Sequence, residues 1–358
     1  MKILIFNWKD LAHPLAGGAE VYTERSAREL VRRGHDVTIF CSRVEGRPSS
    51  EIVEGVRVVR RGSRLSVYRE ARHFWKATTP GEFDIVVDEI NTRPFLTPRY
   101  VRTVPIVALM HQLAREIWRY ETPLPVALAG RYYFERHWLR DYRDIKVLTD
   151  GPSSAASFVP YGLHDAVPVP MGADGSTVHR SQKADRPTVV FLGRLIAAKR
   201  PDDAIEAFGV LRREVPDAQM WVMGDGPLLD RLRRDSPEGV ELLGFVSHEE
   251  RMKRLAAAHV LVATSVREGW GLNVSEAAAH GTPSIGYDVA GLADSVPLSG
   301  GLLVEPTPTA LGQGLIGFFR GDIELEPRIS TSEWVDVAAV IEAELSDSIE
   351  RFSALSRR

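Results

Sequence analysis

The chain alternates short apolar, β-branched runs with longer stretches in which apolar residues recur every three or four positions. The short runs are ILIF, DVTIF, VRVV, DIVV, PIVAL and IKVL in the first half, and TVVFLG, AQMWVMG, VELLG and VLVAT in the second. In the stretch PDDAIEAFGVLRREV, one helix face carries Ala204, Ala207, Phe208, Leu211 and Val215. This alternation predicts parallel sheets wound with helices.

A polar stretch without apolar periodicity interrupts this pattern. Residues 171–187, MGADGSTVHRSQKADRP, are polar and rich in small residues, so they predict the connection between two α/β units, with the boundary near 175–187. We therefore predict domains at 1–175 and 187–330 and a terminal segment at 331–358. In that segment, SEWVDVAAVIEAEL predicts a helix capped by Ser332, and 346–358 predicts a frayed tail.

Composition and charge narrow the classes of function. With 358 residues, 44% of them hydrophobic and 26% charged, the chain has the composition of a soluble globular protein of two domains. Its net charge of −3 gives no general attraction to nucleic acid. Cys41 is the only cysteine, which fits a reducing compartment. No apolar run is long enough to span a bilayer, so we expect a cytoplasmic protein, at most attached to the inner face of the cell membrane.

Candidate chemistry concentrates at the carboxyl ends of the predicted strands, where loop amides and helix N-termini favour anions. Gly17 and Gly18 follow the first strand, and the GDGP turn that contains Gly224 follows a later one. Arg194 and Lys199 share a third loop, and two fixed cations beside a helix start suit a diphosphate. Tight turns and solvated surface charges explain the same residues as alternatives.

Two glutamates stand eight positions apart in the segment REGWGLNVSEAAAHGTP. Glu268 lies in a predicted loop, whereas Glu276 is predicted in the first turn of a helix that starts near 273–275. Carboxylates accept hydrogen bonds from paired hydroxyls, and amides at a helix start accept phosphate oxygens, so the pattern fits a nucleotide sugar. The alternative is that Glu276 only complements the helix dipole and Glu268 is a surface charge.

The segments GGAE, FLGRLIAAKRPDDAIEAF, GDGP and REGWGLNVSEAAAHGTPSIGYDVAG resemble those of family 4 retaining glycosyltransferases, over nearly the whole chain. The resemblance implies an α/β fold of the GT-B type, with two Rossmann-like parallel-sheet domains that face a central cleft. The first domain binds the acceptor, the second binds the donor, and a C-terminal helix crosses back to the first. The implied reaction moves a hexose-type sugar, with retention, from a nucleoside-diphosphate sugar to a glycan or lipid-linked acceptor, without cofactor or metal.

The resemblance also assigns roles to individual residues. Glu276 holds the ribose, Glu268 faces the donor sugar, Arg194 and Lys199 neutralise the diphosphate, and the loop at 244–247 receives the nucleobase. The donor-binding set is Gly17, Gly18, Gly193, Arg194, Lys199, Gly224, Phe245, Val246, Glu268, Gly269, Gly271, Leu272, Asn273, Val274 and Glu276. The catalytic set is His111, Glu268, Arg194 and Lys199.

On the acceptor side, His111 occupies the place where many family members put a histidine, and we expect it to orient and polarise rather than attack. Asp88, Glu89 and Asn91 end a neighbouring strand and are weaker acceptor-binding candidates. Family members often have an asparagine in the segment 170–174, where this chain has Met171. A methionine side chain cannot make the hydrogen bonds of an asparagine, which puts a polar role at this position in doubt.

Three alternatives remain open from the sequence. The stretch 118–142 mixes aromatic residues with arginines, which indicates either a peripheral membrane contact or a core helix with a solvated face. A GT-B-shaped nucleotide-sugar epimerase would bind the same donor without an acceptor. A non-catalytic two-domain sugar or nucleotide-binding protein would bind ligand without turnover. No nucleic-acid partner is expected.

Overall fold

The computed structural model describes residues 1–173 and 182–357, which group into two compact units. Unit 1 contains 1–115, 128–173 and 332–357, and unit 2 contains 116–127 and 182–331. Most of the predicted connection at 175–187 lies outside the described residues. The segment 116–127, which the sequence pattern places in the first domain, groups with unit 2, where Arg267 donates a hydrogen bond to Glu116 at 2.9 Å.

The strands follow the apolar runs of the sequence. In unit 1 they are β1 Lys2–Phe6, β2 Asp36–Cys41, β3 Ser50–Val53, β4 Val56–Arg60, β5 Ile85–Glu89, β6 Ile106–Leu109, β7 Lys146–Thr149, β8 Ala166–Pro168 and β9 Gly172–Ala173. In unit 2 they are β10 Thr188–Leu192, β11 Gln219–Met223, β12 Val240–Gly244, β13 Val260–Ala263, β14 Ser284–Tyr287 and β15 Leu302–Val304. A last short strand, β16 Ser332–Glu333, pairs with β9 in unit 1.

The helices lie between these strands. They are α1 Gly18–Arg32, α2 Val67–Ala77, α3 Ile117–Glu121, α4 Leu124–Ala129, α5 Glu135–Leu139, α6 Pro152–Phe158, α7 Pro201–Glu214, α8 Leu229–Asp235, α9 His248–Ala257, α10 Leu272–Ala279, α11 Leu292–Leu298, α12 Pro308–Arg320 and α13 Trp334–Ser356. Short 3₁₀ turns occupy Thr97–Arg99, Arg140–Tyr142, Val159–Tyr161 and Ala197–Lys199, and a π turn occupies Gly130–Phe134.

Each unit is built on one predominantly parallel sheet. The order in unit 1 is β3-β4-β2-β1-β5-β6-β7-β8, with only the β3–β4 pair antiparallel. The order in unit 2 is β12-β11-β10-β13-β14-β15, the doubly wound order in which the chain reverses direction beside its first strand. Strands such as TVVFL and VLVA are almost wholly buried, because helices cover both faces of a parallel sheet. The predicted α/β class with parallel sheets is confirmed.

The C-terminal helix corrects two details of the prediction. Glu333, not Ser332, precedes α13, and Ser332 instead donates its amide to the Met171 carbonyl at 2.9 Å. The predicted frayed tail is helical through Ser356, because Leu345 is buried against unit 1 and Lys146 binds Glu344 and Asp347 of this helix.

Candidate active site

In unit 2, the loops after β10 and β13 meet at the point where the strand order reverses. Ligands of open parallel sheets bind at such a point, outside the carboxyl ends of the strands. The Val266 amide donates to the Ala198 carbonyl at 3.0 Å, and the Thr264 hydroxyl donates to the Lys199 carbonyl at 2.9 Å. The fold therefore joins the loop that carries Lys199 to the loop that carries Glu268.

Lys199 and Glu268 form a direct ion pair in this junction. The Lys199 ammonium donates to the Glu268 carboxylate, and the Ser265 hydroxyl donates to the same oxygen at 2.6 Å. Both charged side chains are only partly exposed, so the pair lies where water screens it less than at the open surface. Arg194, in the same loop as Lys199, is exposed and contacts no carboxylate among the described residues. The fold thus presents one paired and one unpaired cation here.

Glycines allow these loops to pack against one another. Gly224 has φ +145°, and a Cβ there would stand 1.8 Å from the Gly193 carbonyl oxygen. Gly291 has φ +86°, and a Cβ there would stand 2.3 Å from the Glu268 carbonyl oxygen. The GDGP turn is therefore explained by packing against Gly193, and Gly291 sets the position of the Glu268 backbone. The sequence reasoning did not single out Gly291, although it lies in the family-like segment GYDVAG.

The helix that carries Glu276 begins at Leu272, directly after Gly271. Glu276 consequently lies past the first turn, so the prediction of a helix start near 273–275 with Glu276 in the first turn is wrong. The alternative in which Glu276 only complements the helix dipole loses its basis for the same reason. The backbone amides of Leu272 and Asn273 donate to no acceptor among the described residues, so they are available to phosphate oxygens. The Val274 amide is taken by the Gly271 carbonyl at 2.9 Å, so it leaves the expected set of free amides.

Glu276 contacts α9, the helix that follows the predicted nucleobase loop. Its carboxylate lies 3.5 Å from Arg251 of that helix, which Ser247 caps by accepting the Glu250 amide. Burial raises the pKa of Glu276, and the charges of Arg251 and its neighbours oppose that rise. Phe245, between β12 and α9, is 84% exposed, as a surface for ring stacking would be. Val246 packs against the core of unit 2 beneath it.

In unit 1, His111 follows β6 and is held by two carboxylates. Its Nδ1 lies 2.7 Å from Asp150, which follows β7, and its Nε2 lies 3.8 Å from Glu89 at the end of β5. Burial alone lowers the pKa of His111, but the charges of Asp150 and Glu89 outweigh it and raise the pKa to about 10. His111 is only 8% exposed, and its Nε2 has no hydrogen-bond partner among the described residues. In the protonated ring, the Nε2 N–H is therefore buried beside Glu89 without a hydrogen bond of ordinary length.

The strand end Asp88–Asn91 does not behave as one set. Asp88 is fully buried and accepts hydrogen bonds from the Phe95 and Thr97 amides and from the Thr97 and Tyr142 hydroxyls. The carboxylate of Asp88 is thus occupied by hydrogen bonds from within unit 1. This speaks against the predicted contact between Asp88 and the acceptor substrate. Glu89 is also buried and accepts from the Thr23 hydroxyl at 2.6 Å. Asn91 is partly exposed and donates to Asn7 at 3.0 Å.

The GGAE motif has a structural role in unit 1. Gly17 caps α1, and its amide donates to the Glu20 carboxylate at 2.7 Å. Glu20 is buried and pairs with Lys9 at 2.9 Å. Burial raises the pKa of Glu20, and Lys9 opposes that rise. The expected approach of Gly17 and Gly18 to a donor stays a prediction.

Two supports of His111 were missed from the sequence. Asp150 was one: an acidic residue directly after a predicted strand, next to the strand of His111, is the signal that would have found it. Tyr22 was the other, since its ring lies 5.3 Å from His111 and 5.9 Å from Trp334, which starts α13. Trp334 also covers Gly172, where a Cβ would stand 2.3 Å from the indole.

The aromatic stretch 118–142 is divided by the fold. Tyr142 is fully buried against Asp88, so it belongs to the core of unit 1. Tyr132, Tyr133 and Phe134, on the π turn of the same unit, are 59%, 64% and 41% exposed. Tyr142 fits the alternative of a core element, and for the exposed rings the peripheral membrane contact stays a prediction.

The described residues contain no group of histidine, cysteine and carboxylate side chains arranged to hold a metal ion. None of the helices in 1–173 and 182–357 has the length and apolar character needed to cross a membrane.

Comparisons with known proteins match both halves of the chain. Residues 16–169 match the family described as Glycosyltransferase Family 4, and residues 186–320 match Glycosyl transferases group 1. A GDP-mannose-dependent alpha-(1-6)-phosphatidylinositol monomannoside mannosyltransferase of Mycolicibacterium smegmatis is 29% identical over 356 residues, which cover 88% of this chain and 87% of the relative. The corresponding dimannoside mannosyltransferase of Mycobacterium tuberculosis is 26% identical over 333 residues, with 84% of each chain covered.

Among solved structures, sucrose-phosphate synthase from Thermosynechococcus elongatus superposes with a TM-score of 0.72 at 20% identity. The superposition covers 99% of this chain and 98% of that one. This likeness confirms the GT-B fold class.

Proposed function

This chain belongs to glycosyltransferase family 4, and from that premise we propose that it moves a hexose-type sugar, with retention, from a nucleoside-diphosphate sugar to a hydroxyl of a glycan or lipid-linked acceptor. The observation that carries the proposal is the junction of unit 2, where Lys199, Arg194 and Glu268 lie at the reversal point of the sheet. A neutral sugar alone would not require two cations beside unused helix amides, whereas a diphosphate would.

The donor would occupy unit 2 through four kinds of contact. The diphosphate would bind Arg194, Lys199 and the amides of Leu272 and Asn273. The ribose hydroxyls would donate to Glu276, and the base would stack on Phe245, which is the most exposed large hydrophobic residue of the described chain. Glu268 would accept hydroxyls of the sugar. Lys199 would then exchange part of its contact with Glu268 for phosphate oxygens.

The proposed chemistry proceeds on one face of the donor sugar. The bond between the anomeric carbon and the diphosphate oxygen breaks, and its electron pair leaves with the diphosphate. The acceptor oxygen bonds to the anomeric carbon on the same face, and its proton passes to a diphosphate oxygen. Preorganised cations and amides that stabilise the departing charge supply about 2.7–4 kcal/mol per donor group in comparable sites. We propose that these groups make a divalent metal unnecessary, which activity retained in EDTA would support.

His111 would act on the acceptor. Because Asp150 and Glu89 raise its pKa to about 10, it is protonated at neutral pH and is unsuited to be a general base. Its Nε2 N–H would orient the acceptor through a hydrogen bond.

A peripheral membrane contact is a further part of the proposal. Tyr132, Tyr133 and Phe134 form an exposed aromatic surface in unit 1, and Arg136 beside them is also exposed. Aromatic and cationic side chains together favour the interface of an anionic bilayer. Sedimentation with vesicles of phosphatidylglycerol should pull down the protein, and replacing the three aromatic residues by serine should abolish this without lowering nucleoside-diphosphate affinity.

The deciding experiment is a donor screen. GDP-mannose comes first, because both relatives above are GDP-mannose-dependent, followed by UDP- and ADP-sugars. Nucleoside-diphosphate release is followed with and without membrane lipid extract, for the wild type, Glu276→Gln and the control Glu249→Gln, an exposed glutamate of α9. We expect release from one donor that rises with extract and is lost only in Glu276→Gln.

Other outcomes separate the alternatives. Conversion of the donor into a different nucleotide sugar without acceptor would indicate an epimerase. Binding without any turnover, with every extract tried, would favour a non-catalytic binding protein. Failure to bind any nucleoside diphosphate would contradict the donor site itself.

A further inference from the structure

Unit 1 contains a groove that the proposed reaction does not use. It lies at the carboxyl ends of β2 and β4, has a volume of about 430 Å³, and is lined by Arg43, Ser49, Arg60, Arg61, Gly62 and Glu70. The Arg43 amide donates to the Gly62 carbonyl at 2.9 Å, which ties the two strand ends together. The groove is therefore part of the ordered edge of the sheet.

The cations of this groove are of two kinds. Arg60 is buried and fully engaged, because its guanidinium binds Asp10, Glu51 and the Pro48 carbonyl. Arg43 and Arg61 are exposed, and within the described chain neither contacts a carboxylate. The Arg61 guanidinium instead lies 5.3 Å from the centre of the Phe74 ring.

A third arginine extends this surface towards β1. The Arg64 guanidinium lies 5.5 Å from the centre of the Trp8 ring and has no carboxylate partner among the described residues. The Trp8 carbonyl accepts the Ser42 amide at 3.1 Å, so the ends of β1 and β2 are continuous. A guanidinium that rests on a ring keeps its N–H donors available at the edge of its plane. We call Arg43, Arg61 and Arg64 the arginine trio.

Some arginines elsewhere in unit 1 are paired with carboxylates, whereas others, such as Arg57, are exposed without a carboxylate partner among the described residues. The trio differs from the latter in that its members lie together at neighbouring strand ends. Arg28 lies 3.1 Å from Glu54, Arg33 lies 2.5 Å from Glu342, and Arg99 lies 2.6 Å from Asp141. Each of these three arginines forms an ion pair with a carboxylate of unit 1. Glu70 lines the groove and also lies 3.5 Å from Arg69, so this single carboxylate offsets only part of the charge of the three arginines. The groove consequently holds a local excess of positive charge in a chain whose net charge is −3.

The trio shares one edge of the sheet with His111. The strand order β4-β2-β1-β5-β6 places the end of β6, which precedes His111, four strand spacings from the end of β4. At about 4.8 Å per spacing this is roughly 19 Å, and from β2 roughly 14 Å. Asn7, after β1, and Asn91, after β5, are hydrogen bonded at 3.0 Å between them. One extended molecule could therefore lie along polar groups from the trio to His111.

We propose that the acceptor carries a phosphate group, and that Arg43, Arg61 and Arg64 bind it while a hydroxyl in another part of the acceptor reaches His111. Phosphate oxygens match the planar fork of an arginine in a bidentate geometry, and three such forks suit a phosphate monoester or diester. The inference rests on the proposed transferase function. The phosphate belongs either to a lipid headgroup or to a soluble phosphorylated glycan.

The test measures phosphate binding directly, without turnover. Full-length wild type, Arg61→Glu and Arg43→Gln/Arg64→Gln are titrated with glycerol phosphate and with vesicles of phosphatidylcholine that do or do not contain phosphatidylinositol. The control is Arg57→Glu, an exposed arginine in the middle of β4 that makes the same change of charge. Thermal unfolding verifies that each variant is folded.

We expect both trio variants to bind at least one phosphate probe about 10- to 100-fold more weakly than the wild type, with Arg57→Glu unchanged. Loss of glycerol phosphate binding would assign the site to a phosphomonoester that needs no bilayer. Loss confined to phosphatidylinositol vesicles would assign it to a lipid headgroup. The proposal is overturned when Arg61→Glu and Arg57→Glu bind alike, or when the wild type binds neither probe.

The same variants separate this inference from the proposed function. Nucleoside-diphosphate affinity depends on unit 2 residues and should be equal in all four proteins. In the donor screen, the trio variants should raise the acceptor KM and leave release without acceptor unchanged. Absence of transfer in the wild type together with intact phosphate binding would reject the transferase function but keep the anion site. Active transfer with an unaltered acceptor KM in the trio variants would keep the transferase function but reject the anion site.

Discussion

In unit 1, the charged groups that follow β5, β6 and β7 are buried and bound to one another, whereas in unit 2 the groups at the corresponding strand ends remain accessible. His111 is clamped by Asp150, and Asp88 accepts only from groups of the fold. Glu276 and Lys199 are partly exposed and each has a single ion-pair partner, while Arg194 is exposed. Both edges arise from the same parallel architecture.

The difference shows that one architecture supplies two kinds of polar edge. Buried, mutually bonded groups are fixed in position and in protonation, because releasing any one of them leaves an unpaired charge away from water. Accessible groups with one internal partner exchange that partner for a ligand at little cost. Substitutions in unit 2 should therefore change binding and rate, and substitutions in the buried edge of unit 1 should also change stability.

The largest effect is expected for Lys199→Ala. Removing this cation takes away stabilisation of the departing diphosphate, so kcat should fall about 100- to 1000-fold. The unfolding midpoint should change less than the rate, because both side chains keep some exposure to water and Ser265 still donates to Glu268 in the variant. Steady-state nucleoside-diphosphate release measures the first and calorimetry the second. The control is Lys253→Ala, an exposed lysine of α9, and a loss below tenfold would contradict the assigned role.

Asp150→Asn should reveal the clamp on His111. In the wild type, the imidazole should stay protonated beyond pH 8, because its pKa is raised to about 10; in the variant the pKa should fall towards 6.5. The raised pKa adds stability that is complete below about pH 6.5 and is lost as pH rises through about 10.

We therefore expect Asp150→Asn to lower the free energy of unfolding by about 3 kcal/mol at pH 6, and by less at pH 10. NMR of the imidazole C–H signals and urea unfolding at the two pH values measure these effects. Asp165→Asn, at a half-exposed aspartate of the same unit, serves as the control. A His111 signal that titrates near pH 6.5 in the wild type would rule out the clamp.

Gly291→Ala tests whether the accessible edge of unit 2 depends on rigid backbone packing. The added Cβ would meet the Glu268 carbonyl at 2.3 Å, whereas Gly321→Ala, with a similar φ of +80°, meets nothing within 4 Å. Both variants strain the backbone, so the difference between them reports the contact, about 1–3 kcal/mol by thermal unfolding. Equal destabilisation of the two variants would show that the backbone at Glu268 shifts to admit the added Cβ at no cost in stability.

The smallest effect is expected for Phe245→Ala. This ring is almost fully exposed, so its removal should leave stability within about 0.5 kcal/mol of the wild type. Loss of stacking on the base should weaken nucleoside-diphosphate binding about tenfold. Calorimetric titration measures the affinity, with Ile52→Ala, another exposed apolar residue, as the control. Unchanged affinity would place the base elsewhere.

Local sequence pattern predicted the sheets because buried parallel strands need continuous apolar runs. Each run named from the sequence became a strand, from β1 with ILIF to β13 with VLVAT. The antiparallel edge strand β3 was not predicted, since an edge strand with alternating exposure carries a weaker signal. The helical extent of α13 was also missed, because burial of Leu345 against unit 1 stabilises residues that are unremarkable in sequence.

The chain by itself determined which residue types stand at strand ends, and those positions located Lys199, Glu268, Glu276 and His111 along one kind of edge. Only the tertiary structure decided how each is used, because hydrogen-bond partners are distant in sequence and burial sets protonation. Asp88 and Asp150 both follow the pattern of acidic residues at strand ends. Asp88, however, accepts hydrogen bonds from buried groups such as the Thr97 hydroxyl, whereas Asp150 binds His111. Strand order is a property of the folded sheet, and it alone aligned the arginine trio with that histidine.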